Sequence, residues 1–210
     1  RVVQKNNTDT SSSETVSEEN SSDSACTANK IIDYSKSGDF KSLGCQKSLD
    51  AMCQCLNSEK TIETILKELN ALAIDYSGCA TRDVNADLLF KVVEVRAASR
   101  YFDTEEEPLF YKDSGIMFYG KNGLLITNKA IYRIKKNGLR KILFSKLESL
   151  HLTDILNGRD ECKWCFNGIR EFDLDAIGID SKWSGTIMAL VCLLFNENQP
   201  GKKIKFFNFV

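Results

Sequence analysis

The sequence has little of what most enzymes and nucleic-acid-binding proteins depend on. It contains a single histidine, His151, and two prolines among 210 residues. It lacks four common motifs: the phosphate-binding loop, the glycine fingerprint of dinucleotide-binding folds, the nucleophile elbow of hydrolases and the zinc-binding helix of zinc proteases. The net charge of −1 provides no positive field that would attract nucleic acid. We therefore predict a protein that is not an enzyme, holds no cofactor or metal and binds no nucleic acid.

Long apolar runs are missing too. No stretch approaches the length of about twenty apolar residues that crosses a bilayer, so the sequence predicts no transmembrane helix. The chain begins at Arg1, without an initiating methionine or a basic-then-apolar signal segment, and we interpret it as a processed or excised form. A hydrophobic content of 42% is enough for a substantial core in one or two domains.

Cysteine, in contrast, is abundant, because eight cysteines exceed what a typical cytosolic domain of this size carries. Only Cys53 with Cys55 and Cys162 with Cys165 are close in sequence. A zinc site needs two such pairs in tight turns, or a pair with histidines, whereas residues 162–166 resemble a strand that turns its two cysteines to opposite faces. Buried, inert thiols are the favoured interpretation. The alternative, in an oxidising compartment, is one or two disulfides among the four cysteines between positions 45 and 79.

The beginning of the chain differs in composition from the rest. Residues 1–25 contain seven serines and five acidic residues but almost nothing apolar, which predicts a disordered tether. Residues 1–103 carry 12 basic and 16 acidic side chains, whereas residues 104–210 carry 16 basic and 13 acidic ones. We therefore predict a tether at 1–25, a helical domain at 26–103 and a second domain at 104–210.

The segment from residue 26 to residue 102 has the 3.6-residue apolar period of helices. Its best-defined helix starts at Ser58, a suitable N-cap, and continues through apolar residues spaced at i, i+3, i+4 and i+7 until Ser77-Gly78. The expected helices cover residues 28–35, 45–56, 58–77 and 82–101. Because short helices are not stable alone in water, we predict a small helical bundle.

The period changes from 3.6 to 2 after a charged connector at residues 103–108. Asn-Gly pairs follow, and this dipeptide favours two-residue turns between antiparallel strands because it tolerates positive φ. The expected strands cover residues 116–119, 123–127, 130–135, 139–144, 147–152, 162–166 and 171–173. An apolar helix at 181–196, capped by Ser181, is expected to cover this sheet.

Several of these residues together resemble the bacterial pleckstrin-homology-like domains. The pattern consists of GLLITNKAIYRI from Gly123, the turn KKNG, ILFSKLESL from Ile142, the hairpin around Asn167-Gly168 and the apolar helix after Ser181. The resemblance covers about residues 106–198 and implies a bent antiparallel sheet of about seven strands, capped by a C-terminal helix and used for binding. The expected fold class is therefore α+β.

A basic hairpin is the main candidate binding site. Residues 121–146 contain eight Lys or Arg and no Asp or Glu. In a pleckstrin-homology-like domain such charges can hold anionic lipid headgroups or an acidic protein surface. The alternative is that they only protect sheet edges from aggregation. The candidate residues are Lys129, Arg133, Lys135, Lys136, Arg140 and Lys141.

Three other features have plainer interpretations. His151 alternates with Leu150 and Leu152, which predicts a place on the solvent side of a strand, although a Ser-His or Cys-His pair built on it stays open. The acidic residues 105–107 are interpreted as a solvated linker. The basic and aromatic tail at 202–210 is predicted to be a further docked strand rather than a free membrane-binding segment.

Taken together, these features favour a non-catalytic adaptor or scaffold that binds a protein partner. The first alternative is a peripheral membrane module whose basic hairpin binds anionic lipid, and the second is an enzyme with an unrecognised site. A cytoplasmic location, or the cytoplasmic face of a membrane, is expected from the resemblance. The eight cysteines leave an extracytoplasmic location as the alternative.

Overall fold

A computed structural model describes residues 27–36, 43–94, 102–103, 105–114, 122–135, 138–154, 162–169, 173–175 and 180–209. The protein is α+β, as predicted from the sequence. The helices are α1 Thr27–Ile31, α2 Leu43–Asn57, α3 Ile62–Asp75, α4 Ala86–Val92 and α5 Ser181–Asn198. The strands are β1 Ile32–Lys36, β2 Cys79–Thr81, β3 Pro108–Asp113, β4 Gly123–Thr127, β5 Ala130–Lys135, β6 Gly138–Leu143, β7 Ser149–Asp154, β8 Cys162–Phe166, β9 Asp173–Asp175 and β10 Ile204–Phe209.

The first of two sheets, here called the meander sheet, has the strand order β2-β3-β4-β5-β6 and is antiparallel throughout. Asn128 and Lys129 form the short connection between β4 and β5, which keeps these strands in the predicted hairpin. The predicted strands at 123–127, 130–135 and 139–144 correspond to β4, β5 and β6. Strand β2, from the segment expected to be helical, adds to the outer side of β3.

The second sheet, here called the mixed sheet, has the strand order β1-β10-β7-β8-β9. Strand β10 runs parallel to both β1 and β7, whereas β8 is antiparallel to its two neighbours, β7 and β9. The C-terminal tail is thus docked as a strand, which confirms the prediction, and it buries Phe206 completely. The strands expected in one bent sheet are therefore distributed over two.

A single buried cluster connects α1, α2, α3 and α5 with one face of each sheet. Helix α5 packs against α2 and α3, and it lies so close to α2 at Gly185 that a Cβ atom there would be 2.8 Å from the Cβ of Ala51. Ser48 of α2 shares a 2.6 Å hydrogen bond with Ser184 of α5 and accepts a 2.9 Å bond from the indole of Trp164 in β8. Helices α2 and α5 and the mixed sheet therefore share one core.

The opposite face of the meander sheet is buried as well. Leu89 and Val92 of α4 pack in a second cluster with Tyr111, Leu125 and other residues of this face. The ring of Phe102 stacks on Tyr132 with 5.1 Å between centroids. Both faces of β3, β4 and β5 are consequently covered, which accounts for the nearly uninterrupted burial along these strands.

Some element boundaries differ from the prediction because tertiary contacts outweigh local pattern. The expected first helix ends at Ile31, and β1 follows because Ile32 and Tyr34 turn inward beside β10, where Tyr34 meets Phe206 at 5.6 Å. Strands β2 and β3 were not predicted. The hydroxyl of Ser58 donates to the Gln54 carbonyl at the end of α2, so Thr61 caps α3 instead.

The remaining helix and strand predictions are only partly covered. Asp180, not Ser181, caps α5 through a bond from the Lys182 amide. The expected fourth helix corresponds to α4, which begins at Ala86. The predicted tether at 1–25, the strand at 116–119 and the end of the fourth helix at 95–101 lie outside the described residues.

Candidate functional site

The predicted basic hairpin is formed by β5 and β6, and its register divides the candidate residues between two faces. Arg133 pairs with Arg140, and Tyr132 pairs with Lys141. Because directly paired residues lie on the same face of a sheet, the two arginines share one face and Lys141 lies on the other. Lys136 lies outside the described residues.

Lys129 forms ion pairs with carboxylates of the same chain. Its ammonium lies 3.1 Å from a Glu105 carboxylate oxygen and 3.2 Å from one of Asp103. These two carboxylates raise the pKa of Lys129 above its usual value, first through the bond to Glu105. The neighbouring Asn128 accepts a hydrogen bond from the Glu107 amide and donates one to the Glu105 carbonyl. The acidic connector is therefore fastened to the turn between β4 and β5.

Lys141 is also ion-paired, and its partner is Glu106, which the sequence predicted to lie in a solvated linker. The side chain of Glu106 is completely buried, and its Oε2 atom accepts from the Lys141 ammonium at 2.7 Å and from the Tyr132 hydroxyl at 2.8 Å. Its Oε1 atom accepts from Thr127 at 2.6 Å. Burial raises the pKa of the Tyr132 hydroxyl, and the neighbouring Glu106 carboxylate raises it further.

The interpretation of residues 105–107 as a solvated linker is thus wrong for Glu106. A buried carboxylate needs several donors, and here they come from β4, β5 and β6. Those donors lie 21 to 35 residues further along the chain, so no local pattern identifies them. Glu105 and Glu107 themselves are exposed, as expected.

The other three described residues of the hairpin differ in exposure. Arg133 is buried, and its Nη1 atom donates to the Ser114 hydroxyl at 3.3 Å. Lys135 and Arg140 are exposed, Lys135 at the end of the hairpin and Arg140 within β6, opposite Arg133. Of the six candidate residues, the structure thus places Lys135 and Arg140 at the surface, whereas Lys129 and Lys141 are bound to carboxylates and Arg133 lies inside.

Strand β6 forms an outer edge of the meander sheet in the part of the chain that the structure describes. It pairs with β5 along one side through six register positions. Leu139 and Leu143 are half-buried against the second cluster, while Arg140 faces solvent. With six residues, β6 is the longest of the four terminal strands described, ahead of β1, β2 and β9.

His151 lies on the outer face of the mixed sheet, as its alternation with buried Leu150 and Leu152 predicted. Its Nε2 atom is 2.8 Å from the Ser149 hydroxyl, and its ring stacks on Phe207 with 4.8 Å between centroids. Partial burial lowers the pKa of the imidazole. A Ser-His contact therefore exists, but Ser149 is itself buried, with 8% of its surface exposed.

A cleft of about 270 Å³ lies where α2, α3 and α5 meet. In it, the Lys60 ammonium is 2.6 Å from Glu68 and 3.9 Å from the sulfur of Cys55. Burial raises the pKa of the Cys55 thiol, and the bond to Glu68 raises the pKa of Lys60. At neutral pH both groups are thus protonated, and neither is an activated nucleophile.

The described cysteines are free thiols: Cys45, Cys53, Cys55, Cys79, Cys162, Cys165 and Cys192. Cys162 is buried and Cys165 is partly exposed, in keeping with the predicted opposite faces of the strand. No three His, Cys, Asp or Glu side chains converge on a metal-sized site within the described ranges. None of the helices described is both long and apolar enough to pass through a bilayer.

Comparisons with protein-family models, with curated proteins and with solved structures give no match to this chain.

Proposed function

We propose that this protein is a non-catalytic protein-binding module and that a partner binds by adding a strand to β6. The observation that carries the proposal is the position of β6 as the longest terminal strand described, with β5 on one side only. A strand in this position presents a row of backbone donors and acceptors that an extended segment can pair with. The resemblance to pleckstrin-homology-like domains, which are binding modules, supports the same function.

The surroundings of β6 make it a firm platform for such a partner. The neighbouring strand β5 is buried on both faces, and Leu139 and Leu143 of β6 already pack against the second cluster. A partner strand therefore does not need to order β6 before it binds, and the entropic cost of association falls mainly on the partner.

The membrane alternative receives less support from the charges. Lys129 and Lys141 are paired with carboxylates of the connector, and Arg133 is buried. Of the described candidate residues, Lys135 and Arg140 remain exposed to a lipid surface. Since each basic residue near an anionic membrane contributes about 1 kcal/mol, two of them give only weak binding.

Hydrogen exchange on the complex tests the proposal. The full chain is used to capture partners at about 0.15 M salt, where charges act over about 8 Å, and again at several times that concentration. Amide exchange is then compared between the free chain and the complex with the captured protein. New protection within Gly138–Leu143 that survives high salt is the expected result. Protection confined to other segments contradicts strand addition to β6.

A vesicle experiment separates the membrane alternative. Vesicles with and without anionic lipid are sedimented with the wild-type chain, with the variant Lys135→Glu/Arg140→Glu and with the control Lys202→Glu/Lys203→Glu. The control residues are exposed lysines outside the hairpin. Binding that needs anionic lipid, disappears in salt and is lost only in the first variant would establish a membrane module instead.

A further inference from the structure

The geometry points to a specific class of ligand for β6: an extended protein segment in which acidic and apolar residues alternate. This inference rests on the proposed addition of a strand to β6. It adds which side chains the partner must present to each face of the meander sheet.

A row of like charges crosses the hairpin on one face. Arg133 and Arg140 are directly opposite one another on β5 and β6. Like charges in this relation destabilise a sheet, whereas an opposite charge in the next position of the row is favourable. On a strand added to β6, that next position is the residue opposite Arg140. An acidic side chain there extends the row with the sign that compensates it.

Arg140 can bind such a carboxylate in addition to making its contacts within the chain. Its side chain is exposed, and a guanidinium offers five N–H donors in a planar arrangement that suits carboxylates. Arg133, behind it, is buried and contributes its charge rather than a direct contact. The exposed Lys135 is on the same face, since it pairs with Gly138 two positions from Arg140.

The other face of β6 favours apolar side chains. Leu139 and Leu143 are half-buried there, on either side of Lys141. The Lys141 ammonium is already held by buried Glu106 and lies 4.9 Å from the centre of the Tyr132 ring. A partner residue on this face therefore gains more by covering the two leucines than by adding a second carboxylate.

The two faces together determine the alternation. Successive residues of a strand point to opposite faces, so the acidic residue opposite Arg140 is flanked on both sides in the partner's sequence by apolar residues that face the leucines. A second copy of this chain is a poor partner by the same reasoning. Antiparallel pairing of β6 with itself brings the adjacent Arg140 and Lys141 of one copy beside those of the other.

Labelled octapeptides measure this preference directly by fluorescence anisotropy with the full chain. The probes are alternating Val-Glu, alternating Val-Thr and alternating Val-Lys peptides, together with a peptide of four valines followed by four glutamates. We expect the Val-Glu peptide to bind at least tenfold more tightly than Val-Thr, and Val-Lys to bind most weakly. The block peptide has the same composition as Val-Glu, and it should bind at least tenfold more weakly than that peptide.

Two variants connect the preference with β6. Arg140→Glu should reverse the order, so that Val-Lys binds more tightly than Val-Glu, whereas the control Lys203→Glu should leave the order unchanged. A block peptide that binds as well as Val-Glu shows that only total charge is recognised and overturns the inference. An unchanged order in Arg140→Glu overturns it as well.

The outcome also distinguishes this inference from the proposed function. If all three alternating peptides bind equally and protect Gly138–Leu143 from exchange, strand addition holds and the acidic preference is refuted. If none of the peptides binds or protects β6, while a captured protein does protect it, only the ligand class is wrong. Failure of both the peptides and the captured protein to protect β6 overturns both.

Discussion

Ser184 and Ser48 share a 2.6 Å hydrogen bond in the core, although 136 residues separate them in the sequence. Both hydroxyls are completely buried, and the bond joins α5 to α2. The Trp164 indole donates to Ser48, and the Cys162 sulfur lies 3.4 Å from Ser184, so β8 takes part in the same network. The network fixes how the two long helices sit on the mixed sheet, because each polar group has its partners only in this arrangement.

The close contact of α2 and α5 predicts a strong effect of adding one methyl group at Gly185. In Gly185→Ala the new Cβ would overlap the backbone carbonyl of Ser48 and lie 2.8 Å from the Cβ of Ala51. Backbone atoms cannot turn aside as a flexible side chain can, so the helices must separate. We expect a loss of about 3 kcal/mol in the free energy of unfolding, measured by urea denaturation.

Gly138→Ala is the matched control, because an added Cβ at Gly138 meets no atom within 4 Å. Its free energy of unfolding should stay close to that of the wild type. Equal stability of the two variants would show that α2 and α5 do not approach as closely as described.

Removal of the buried carboxylate is expected to weaken the hairpin. In Glu106→Gln the Lys141 ammonium loses its counter-charge, and a charge-assisted hydrogen bond is worth about 1.5–3 kcal/mol. We expect urea denaturation to show a loss of about 2 kcal/mol. The double variant Glu106→Gln/Lys141→Met should recover part of it, because it removes the ammonium left without a carboxylate.

Glu107→Gln provides the comparison, since Glu107 forms an exposed ion pair with Arg82. Such pairs contribute about 0–1 kcal/mol. A loss in Glu107→Gln as large as that in Glu106→Gln would contradict the assignment of Glu106 as the buried anchor of the connector.

The lowered pKa of His151 predicts a dependence of stability on pH. Burial disfavours the imidazolium, so the folded state takes up its proton at a lower pH than the unfolded state does. Stability should therefore be constant with respect to this group above about pH 6.5 and fall as the pH decreases through the lowered pKa. Because the ring is only half-buried, the contribution is expected to be below about 1 kcal/mol.

The comparison of wild type with His151→Gln isolates this contribution. Glutamine can still hydrogen-bond to Ser149 but does not titrate, so urea midpoints at about pH 7.5 and 5.5 should differ less in the variant. A pH dependence identical in both proteins would show that His151 has the same pKa folded and unfolded.

Thiol reactivity should follow burial. Burial raises the pKa of Cys79 to about 12 and also raises that of Cys192, so neither forms much thiolate at pH 8. Partly exposed Cys53 and Cys165 should react first with a disulfide reagent such as DTNB. Mass spectrometry of the labelled peptides identifies which thiols have reacted. The variant Cys26→Ser removes the cysteine outside the described residues. Fast labelling of Cys79 or Cys192 in the native protein would contradict the described core.

Local patterns were sufficient where the elements are defined by neighbouring residues. The hairpin of β5 and β6 was predicted because an Asn-Gly pair stands between two apolar runs, and α3 because its apolar residues repeat at helical spacing. The basic residues of the hairpin were identified in the same way. Which of them reach solvent was not predictable, since the carboxylates that hold Lys129 and Lys141 precede the hairpin in a connector without regular period.

Elements that depend on distant partners were missed for the same physical reason. Strand β2 has three residues, too few to show a period, and it is extended only because β3 lies beside it. Strand β1 lies in the predicted helix at 28–35, because the helical period of the segment gives no sign of its partner β10 at the other end of the described chain. The edge position of β6 likewise depends on the order of all strands in the sheet.

The insertion of β10 between β1 and β7 has a consequence for biosynthesis. As the ribosome releases the chain from its N-terminus, β1 emerges well before β10 and has no strand to pair with until Ile204–Phe209 have also emerged. The meander sheet can assemble before that, because its strands follow one another closely in the sequence. Ile32 therefore lacks its neighbouring strand until β10 emerges, and the edge of β7 lacks it for the shorter interval between β7 and β10. Exposed apolar residues and unpaired strand edges of this kind are where chaperones or aggregation act on a nascent protein.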